Sequence, residues 1–140
     1  MTPKTPRPFL KWVGGKTQLL WELLFRIEAQ CPINGYHEPF LGGGALFFAM
    51  HRRGFLPERV FLSDINPRML DSWLGIQTDA ELVGDVLRYA ADHHMMEGKE
   101  FYDSVRKSIP SDLVGRAGRA IYLNKTCFNG LWRENGKGEY

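Results

Sequence analysis

The stretch that decides the fold is residues 36–45, with the sequence YHEPFLGGGA. A short run of strand-forming residues leads into three consecutive glycines at 42–44, and the apolar run at 45–50 (ALFFAM) predicts a buried helix. Strand, glycine turn and helix follow one another at ligand-binding ends of parallel sheets. Because glycine has no Cβ, each of the three positions would let the main chain approach a ligand closely.

A second strand and an acidic residue follow this helix. Residues 60–62 (VFL) predict a short strand, and Asp64 stands 20 residues beyond Gly44. A βαβ nucleotide site places here the carboxylate that accepts hydrogen bonds from ribose hydroxyls. The alternative, a tight turn with a helix-capping aspartate, accounts for the glycines but is disfavoured by this spacing. Phe47 replaces the third glycine of G-x-G-x-x-G, so a nucleoside without a pyrophosphate fits better than a dinucleotide.

The remaining segments are predicted to be mainly helical. Apolar residues at helical spacing predict a helix over 19–27, and Asn66 and Pro67 supply an N-cap and a first-turn proline for another. Further helices are predicted at 82–90, at 101–105 and after Asp112, and residues 129–140 predict the start of a hairpin.

Composition indicates an ordinary globular protein. With 44% hydrophobic and 24% charged residues, the chain does not have the composition of a disordered, fibrous or membrane protein. Residues 1–8 lack the apolar core of a secretion signal, and a cytoplasmic location is expected. Cys31 and Cys127 are too few and too far apart for a disulfide framework or zinc site. Lys plus Arg (18) barely exceeds Asp plus Glu (16), which permits a nucleic-acid partner without requiring one. The oligomeric state stays open.

An aromatic ring and a cation stand near the N-terminus, beside two glycines, in residues 9–16 (FLKWVGGK). Gly15, Lys16 and Thr17 match the end of a phosphate-binding P-loop, but that pattern requires a glycine where Leu10 stands. Trp12 and Lys16 suit an adenine ring and a carboxylate. The alternative is that Trp12 is a core residue and Lys16 a solvated helix start, and this segment taken alone favours it.

Together these segments resemble the N-terminal part of Dam-type DNA adenine methyltransferases, which transfer a methyl group from S-adenosylmethionine to the exocyclic amine of adenine. Residues 9–16 are similar to the opening motif, 38–45 (EPFLGGGA) to the cofactor glycine loop and 63–66 (SDIN) to the ribose-acid motif. Residues 123–133 (LNKTCFNGLWR) are similar to the start of the target-recognition region. The resemblance implies an α/β fold of the Rossmann-like, S-adenosylmethionine-dependent kind, incomplete here and followed by the start of a helical and hairpin DNA-recognition region.

Carried over by position, the resemblance implies a cofactor site. Trp12 and Lys16 would hold the methionine and adenine end of S-adenosylmethionine, and Asp64 would bind its ribose. Phe40, Gly42 and Gly44 would line the site. No metal and no membrane partner are expected.

The same resemblance implies duplex DNA as the partner. Phe128 and Asn129 suit filling the gap and pairing the orphan base left when a nucleotide is flipped out, and Arg133 suits a bidentate grip on guanine. The alternative is that Phe128 is core, Asn129 belongs to a plain turn and Arg133 contacts a phosphate.

The family's catalytic Asp-Pro-Pro-Tyr segment is absent, because none of the eight prolines adjoins another. Residues 64–67 (DINP) do not replace it, since they lack the second proline and the aromatic. We therefore expect this chain to be part of a site-specific methyltransferase that serves restriction-modification or regulation, and to be inactive by itself. Residues 1–78 are expected to belong to the cofactor-binding domain, and residues 79–140 to begin the target-recognition region. The alternative is a non-catalytic nucleotide- or DNA-binding module.

Overall fold

A computed structural model describes residues 5–130, and the chain divides into two compact units between Ile65 and Asn66. The first unit contains the glycine turn, and the regular elements described in the second unit are all helices. In the described part of the chain, no helix combines the length and the apolar character needed to cross a membrane.

The first unit is built on two short parallel strands. A 3-10 turn (Lys16–Leu19) leads into α1 (Leu20–Glu28), and β1 (Tyr36–Glu38), α2 (Ala45–Arg53) and β2 (Val60–Leu62) follow. The strands pair in register, with Tyr36 opposite Val60 and Glu38 opposite Leu62. A parallel pair needs a crossover, which α2 supplies. The predicted order of strand, glycine turn, helix and strand is confirmed.

One face of this sheet is buried beneath the two helices. The core residues are Leu24 of α1, Tyr36 of β1, and Leu46, Ala49 and Met50 of α2. Because side chains alternate along a strand, the residues between the buried positions point the other way. His37 and Phe61 accordingly form an edge-to-face ring pair on the opposite face, where Phe61 is exposed.

The second unit consists of α3 (Pro67–Glu97), α4 (Lys99–Lys107), α5 (Leu113–Thr126) and a 3-10 turn (Phe128–Gly130). The predicted cap of α3 is confirmed, because the Asn66 side chain accepts hydrogen bonds from the backbone N–H groups of Arg68 and Met69. Asp79 interrupts α3 with extended angles (φ −158°, ψ 88°), and its side chain caps the segment that follows. The two helices predicted here are therefore joined at a kink.

Helices α3 and α5 approach each other closely at two glycines. A Cβ built on Gly75 would overlap the Cβ of Ala117, and one built on Gly118 would overlap the side chain of Val86. Arg119 of α5 is also buried, and it donates hydrogen bonds to the carbonyls of Val105 and Arg106 near the end of α4.

Residues 131–140, which include most of the predicted hairpin and Arg133, lie outside the described residues.

Candidate functional site

The carboxyl ends of β1 and β2 are tied together by backbone hydrogen bonds. The N–H of Ser63 donates to the carbonyl of Glu38 (2.9 Å), and the N–H of Leu41 donates to the carbonyl of Ser63 (3.0 Å). One residue further along each segment, the N–H of Gly42 donates to Oδ2 of Asp64 at 2.9 Å. The Asp64 carboxylate is thereby fixed against the glycine turn.

The glycine turn requires glycine for two physical reasons. Gly42 and Gly44 have positive φ angles (54° and 75°), a left-handed conformation that side chains disfavour. A Cβ on Gly42 would lie 3.2 Å from Cδ1 of Trp12, and one on Gly43 would lie 2.8 Å from the carbonyl oxygen of Leu10. The sequence predicted that a ligand would approach these glycines closely. At Gly42 and Gly43 the chain's own N-terminal segment makes that close approach, and Trp12 packs on the turn.

A buried carboxylate stands at the end of β1. Glu38 is 3% exposed. Its Oε1 is 2.9 Å from Nζ of Lys16, and its Oε2 accepts a 2.5 Å hydrogen bond from the hydroxyl of Tyr36. Lys16 also donates to the carbonyl of Phe40. Burial, and secondarily the hydrogen bond to the Glu38 carboxylate and its negative charge, raise the pKa of Tyr36 well above its ordinary value, so the phenol stays protonated. Lys16 is thus part of an ion pair rather than a solvated helix start.

Two apolar side chains stand exposed beside this network. Phe40 precedes the glycine turn and is 72% exposed, and Ile65 follows Asp64 and is 92% exposed. Both side chains are accessible in the described part of the chain. Sequence reasoning selected Phe40 but assigned no role to Ile65 or Glu38. Two signals in the sequence could have identified them. Ile65 is an apolar residue directly after the acid that follows β2, and Glu38 is a glutamate on the buried side of β1.

The structure gathers all six predicted cofactor residues around one turn of the first unit, although they come from separate parts of the sequence. These residues are Trp12, Lys16, Phe40, Gly42, Gly44 and Asp64. Their part in binding stays a prediction. Within residues 5–130, no cluster of three or more His, Cys, Asp or Glu side chains could hold a metal ion.

The predicted DNA residues belong to the second unit. Phe128 is 81% exposed in the described part of the chain, and its role at the DNA stays a prediction. Asn129 has a left-handed conformation (φ 57°), which agrees with a turn at Asn129 and Gly130. Arg133 is outside the described residues.

Comparison with known proteins identifies the family. The family model for D12 class N6 adenine-specific DNA methyltransferases matches residues 12–140. The chain belongs to this family. The resemblance expected from the four sequence motifs is therefore confirmed.

Curated relatives of this family member include the Type II methyltransferase M.MjaIII of Methanocaldococcus jannaschii, which is 37% identical over 96% of this chain and 50% of its own length. The Type II methyltransferase M1.LlaDCHI of Lactococcus lactis subsp. cremoris is 31% identical over 96% of this chain and 46% of its own. A DNA adenine methylase of Vibrio cholerae is 32% identical over 98% and 47%. The chain spans about half the length of these relatives.

Proposed function

We propose that this chain is the cofactor-binding part of a DNA adenine methyltransferase, with S-adenosylmethionine as methyl donor and duplex DNA as substrate. Residues 1–78 would belong to the cofactor domain, whose Rossmann-like sheet would continue beyond the two strands, and residues 79–140 would begin target recognition. The observation that carries the proposal is the hydrogen bond from Gly42 to Asp64, which joins the glycine turn to the acid at the carboxyl ends of two parallel strands.

The residues at the turn have the chemistry that S-adenosylmethionine requires. A carboxylate accepts several hydrogen bonds at once, so the bond from Gly42 is compatible with Asp64 accepting others from ribose hydroxyls. Phe40 and Ile65 offer exposed apolar surface for the adenine ring. Lys16 supplies a cation for the methionine carboxylate, beside the Trp12 indole on the turn.

This chain's residues would bind and orient the reactants. S-adenosylmethionine, when bound, supplies an electrophilic methyl group on a sulfonium. Adenine's exocyclic amine is a weak nucleophile because its lone pair is delocalised into the ring, so acceptors must hold it in line with that methyl. The sequence contains no Asp-Pro-Pro-Tyr segment. We assign the amine acceptors to a part of the enzyme that this chain, about half as long as its relatives, does not span.

For DNA, we assign the contact to the end of α5 and the residues that follow. The exposed ring of Phe128 is available to enter the gap left by a flipped nucleotide, and the neighbouring Asn129 amide offers both a donor and an acceptor to the orphan base. Arg133 would contact guanine.

The test is calorimetric titration of the 140-residue chain with S-adenosylmethionine, compared with adenosine. Asp64→Ala should weaken binding by about 1 to 3 kcal/mol, the range for hydrogen bonds to a charged group. The matched control is Asp92→Ala, an exposed aspartate of α3, which should not change the affinity. Unchanged affinity for Asp64→Ala would contradict the assignment. Adenosine binding as tightly as S-adenosylmethionine would favour a non-catalytic nucleotide-binding module instead.

A further inference from the structure

We propose that Glu38 is a positioning residue, which holds the ammonium of Lys16 at the glycine turn and is itself fixed by Tyr36. The inference rests on the proposed function, because that function assigns Lys16 to the cofactor. Lys16 and Glu38 lie in two of the four motifs, but neither motif assigns a role to the ion pair between them.

The burial of Glu38 carries the first step. The side chain is 2% exposed at the end of β1, and a carboxylate taken out of water is costly unless it is paired and hydrogen-bonded. Both of its oxygens have partners, Oε1 with Lys16 and Oε2 with Tyr36. Glu38 is therefore held rigidly in the core while facing the base of the glycine turn.

The geometry of Lys16 carries the second step. Its Nζ donates to Glu38 and to the carbonyl of Phe40, and its side chain remains 29% exposed. An ammonium has three donors, so these two bonds leave capacity for a bond to a ligand. A lysine side chain otherwise loses much rotamer freedom when a ligand immobilises it. Glu38 removes that loss in advance by fixing the ammonium before the ligand arrives.

Tyr36 completes the arrangement from the same strand. It lies two residues before Glu38, so both side chains point to the buried face of β1. Its hydroxyl donates to the oxygen that Lys16 does not use, which fixes the plane of the carboxylate and thus the direction in which Oε1 meets the ammonium.

The first test needs no cofactor. Lysine acetylation by acetic anhydride, followed by peptide mass spectrometry, should proceed several-fold more slowly at Lys16 than at Lys125, which is exposed on α5. Glu38→Gln should raise the rate at Lys16 several-fold, while the rates at Lys11 and Lys125 stay constant. An unchanged rate at Lys16 would overturn the proposal.

A milder variant keeps this test decisive if Glu38→Gln disturbs the fold. Tyr36→Phe retains the buried ring and removes only the hydroxyl. It should raise the acetylation rate at Lys16 by a smaller factor, again with Lys11 constant. If Lys16 reacts in Tyr36→Phe at the rate of the unchanged chain, Tyr36 does not fix the carboxylate and the proposal fails.

The second test is a double-mutant cycle on S-adenosylmethionine affinity. Lys16→Met and Glu38→Gln should each raise Kd about ten-fold, the effect of about 1.4 kcal/mol. The double variant should bind as Lys16→Met does, because Glu38 acts through Lys16. A further loss in the double variant would show that Glu38 contacts the ligand itself and would overturn the proposal. Failure of the unchanged chain to bind would refute the proposed function, while acetylation would still decide whether Glu38 holds Lys16.

Discussion

The backbone N–H of Gly42 donates a 2.9 Å hydrogen bond to Oδ2 of Asp64, although the two residues are 22 positions apart. This bond gives the aspartate a structural role besides the one proposed toward a ribose, because it fixes the glycine turn to the end of β2. A substitution of Asp64 therefore alters the fold and the site together unless the replacement keeps the acceptor.

Asp64→Asn separates the two roles. The amide oxygen can still accept the hydrogen bond from Gly42, so the free energy of unfolding should change by less than about 1 kcal/mol. The negative charge is lost, so S-adenosylmethionine affinity should fall. Asp64→Ala should lower both quantities, as measured by urea unfolding and calorimetry. Equal losses of stability for Asn and Ala would show that the hydrogen bond to Gly42 contributes nothing.

Gly43→Ala should destabilise the first unit by about 1 to 3 kcal/mol, because its Cβ would lie 2.8 Å from the Leu10 carbonyl oxygen. Gly54→Ala is the matched control. Gly54 has a φ of 68° with nothing within 4 Å of the added Cβ, so only the left-handed conformation is penalised, at about 1 to 2 kcal/mol. Gly43→Ala should in addition free Trp12 from the turn, which a shift in tryptophan fluorescence would report and which Gly54→Ala should not cause.

Three glycines of the second unit should respond to alanine with opposite signs. Gly75→Ala and Gly118→Ala would overlap Ala117 and Val86, so each should lower the free energy of unfolding by about 1 to 3 kcal/mol. Gly84 is also helical, but the nearest atom to its added Cβ is the flexible end of Arg88 at 3.4 Å. Gly84→Ala should therefore stabilise the chain by about 0.5 to 1 kcal/mol, through helix propensity. A loss of stability at Gly84 would contradict this.

Tyr36 should make stability depend on alkaline pH. Its pKa is raised in the folded chain above the ordinary value of 10.0, so above that pH the unfolded chain releases a proton that the folded chain retains. The contribution of Tyr36 to the free energy of unfolding is complete below pH 10. As the pH rises further this contribution is lost, at up to about 1.4 kcal/mol per pH unit. Urea unfolding between pH 8 and about 11 should therefore show a steeper decline for the unchanged chain than for Tyr36→Phe. Parallel curves would contradict the assignment.

Local signals predicted several elements of each unit, and tertiary contacts decided the rest. The strand at Tyr36, the capping role of Asn66 and the helix after the glycines each follow from a few neighbouring residues. The pairing of Lys16 with Glu38 could not be predicted, because it depends on how the segment before α1 packs on β1. Likewise, the sequence indicated that glycines are needed at 42–44, but not that Trp12 and Leu10 impose two of them.

The 140-residue chain should bind S-adenosylmethionine without transferring its methyl group. The sequence supplies the glycine turn and Asp64, but it has no Asp-Pro-Pro-Tyr segment to hold adenine's amine. Alignment of the reactants alone can lower the activation barrier by roughly 7 to 11 kcal/mol. A protein that cannot hold the flipped base loses most of this lowering. A labelled-methyl transfer assay on adenine-containing duplex DNA should therefore detect no product with this chain alone. Addition of a separately expressed partner that carries Asp-Pro-Pro-Tyr should restore transfer, and Asp64→Ala should reduce that restored rate. Turnover by the chain alone would show that other residues hold the amine.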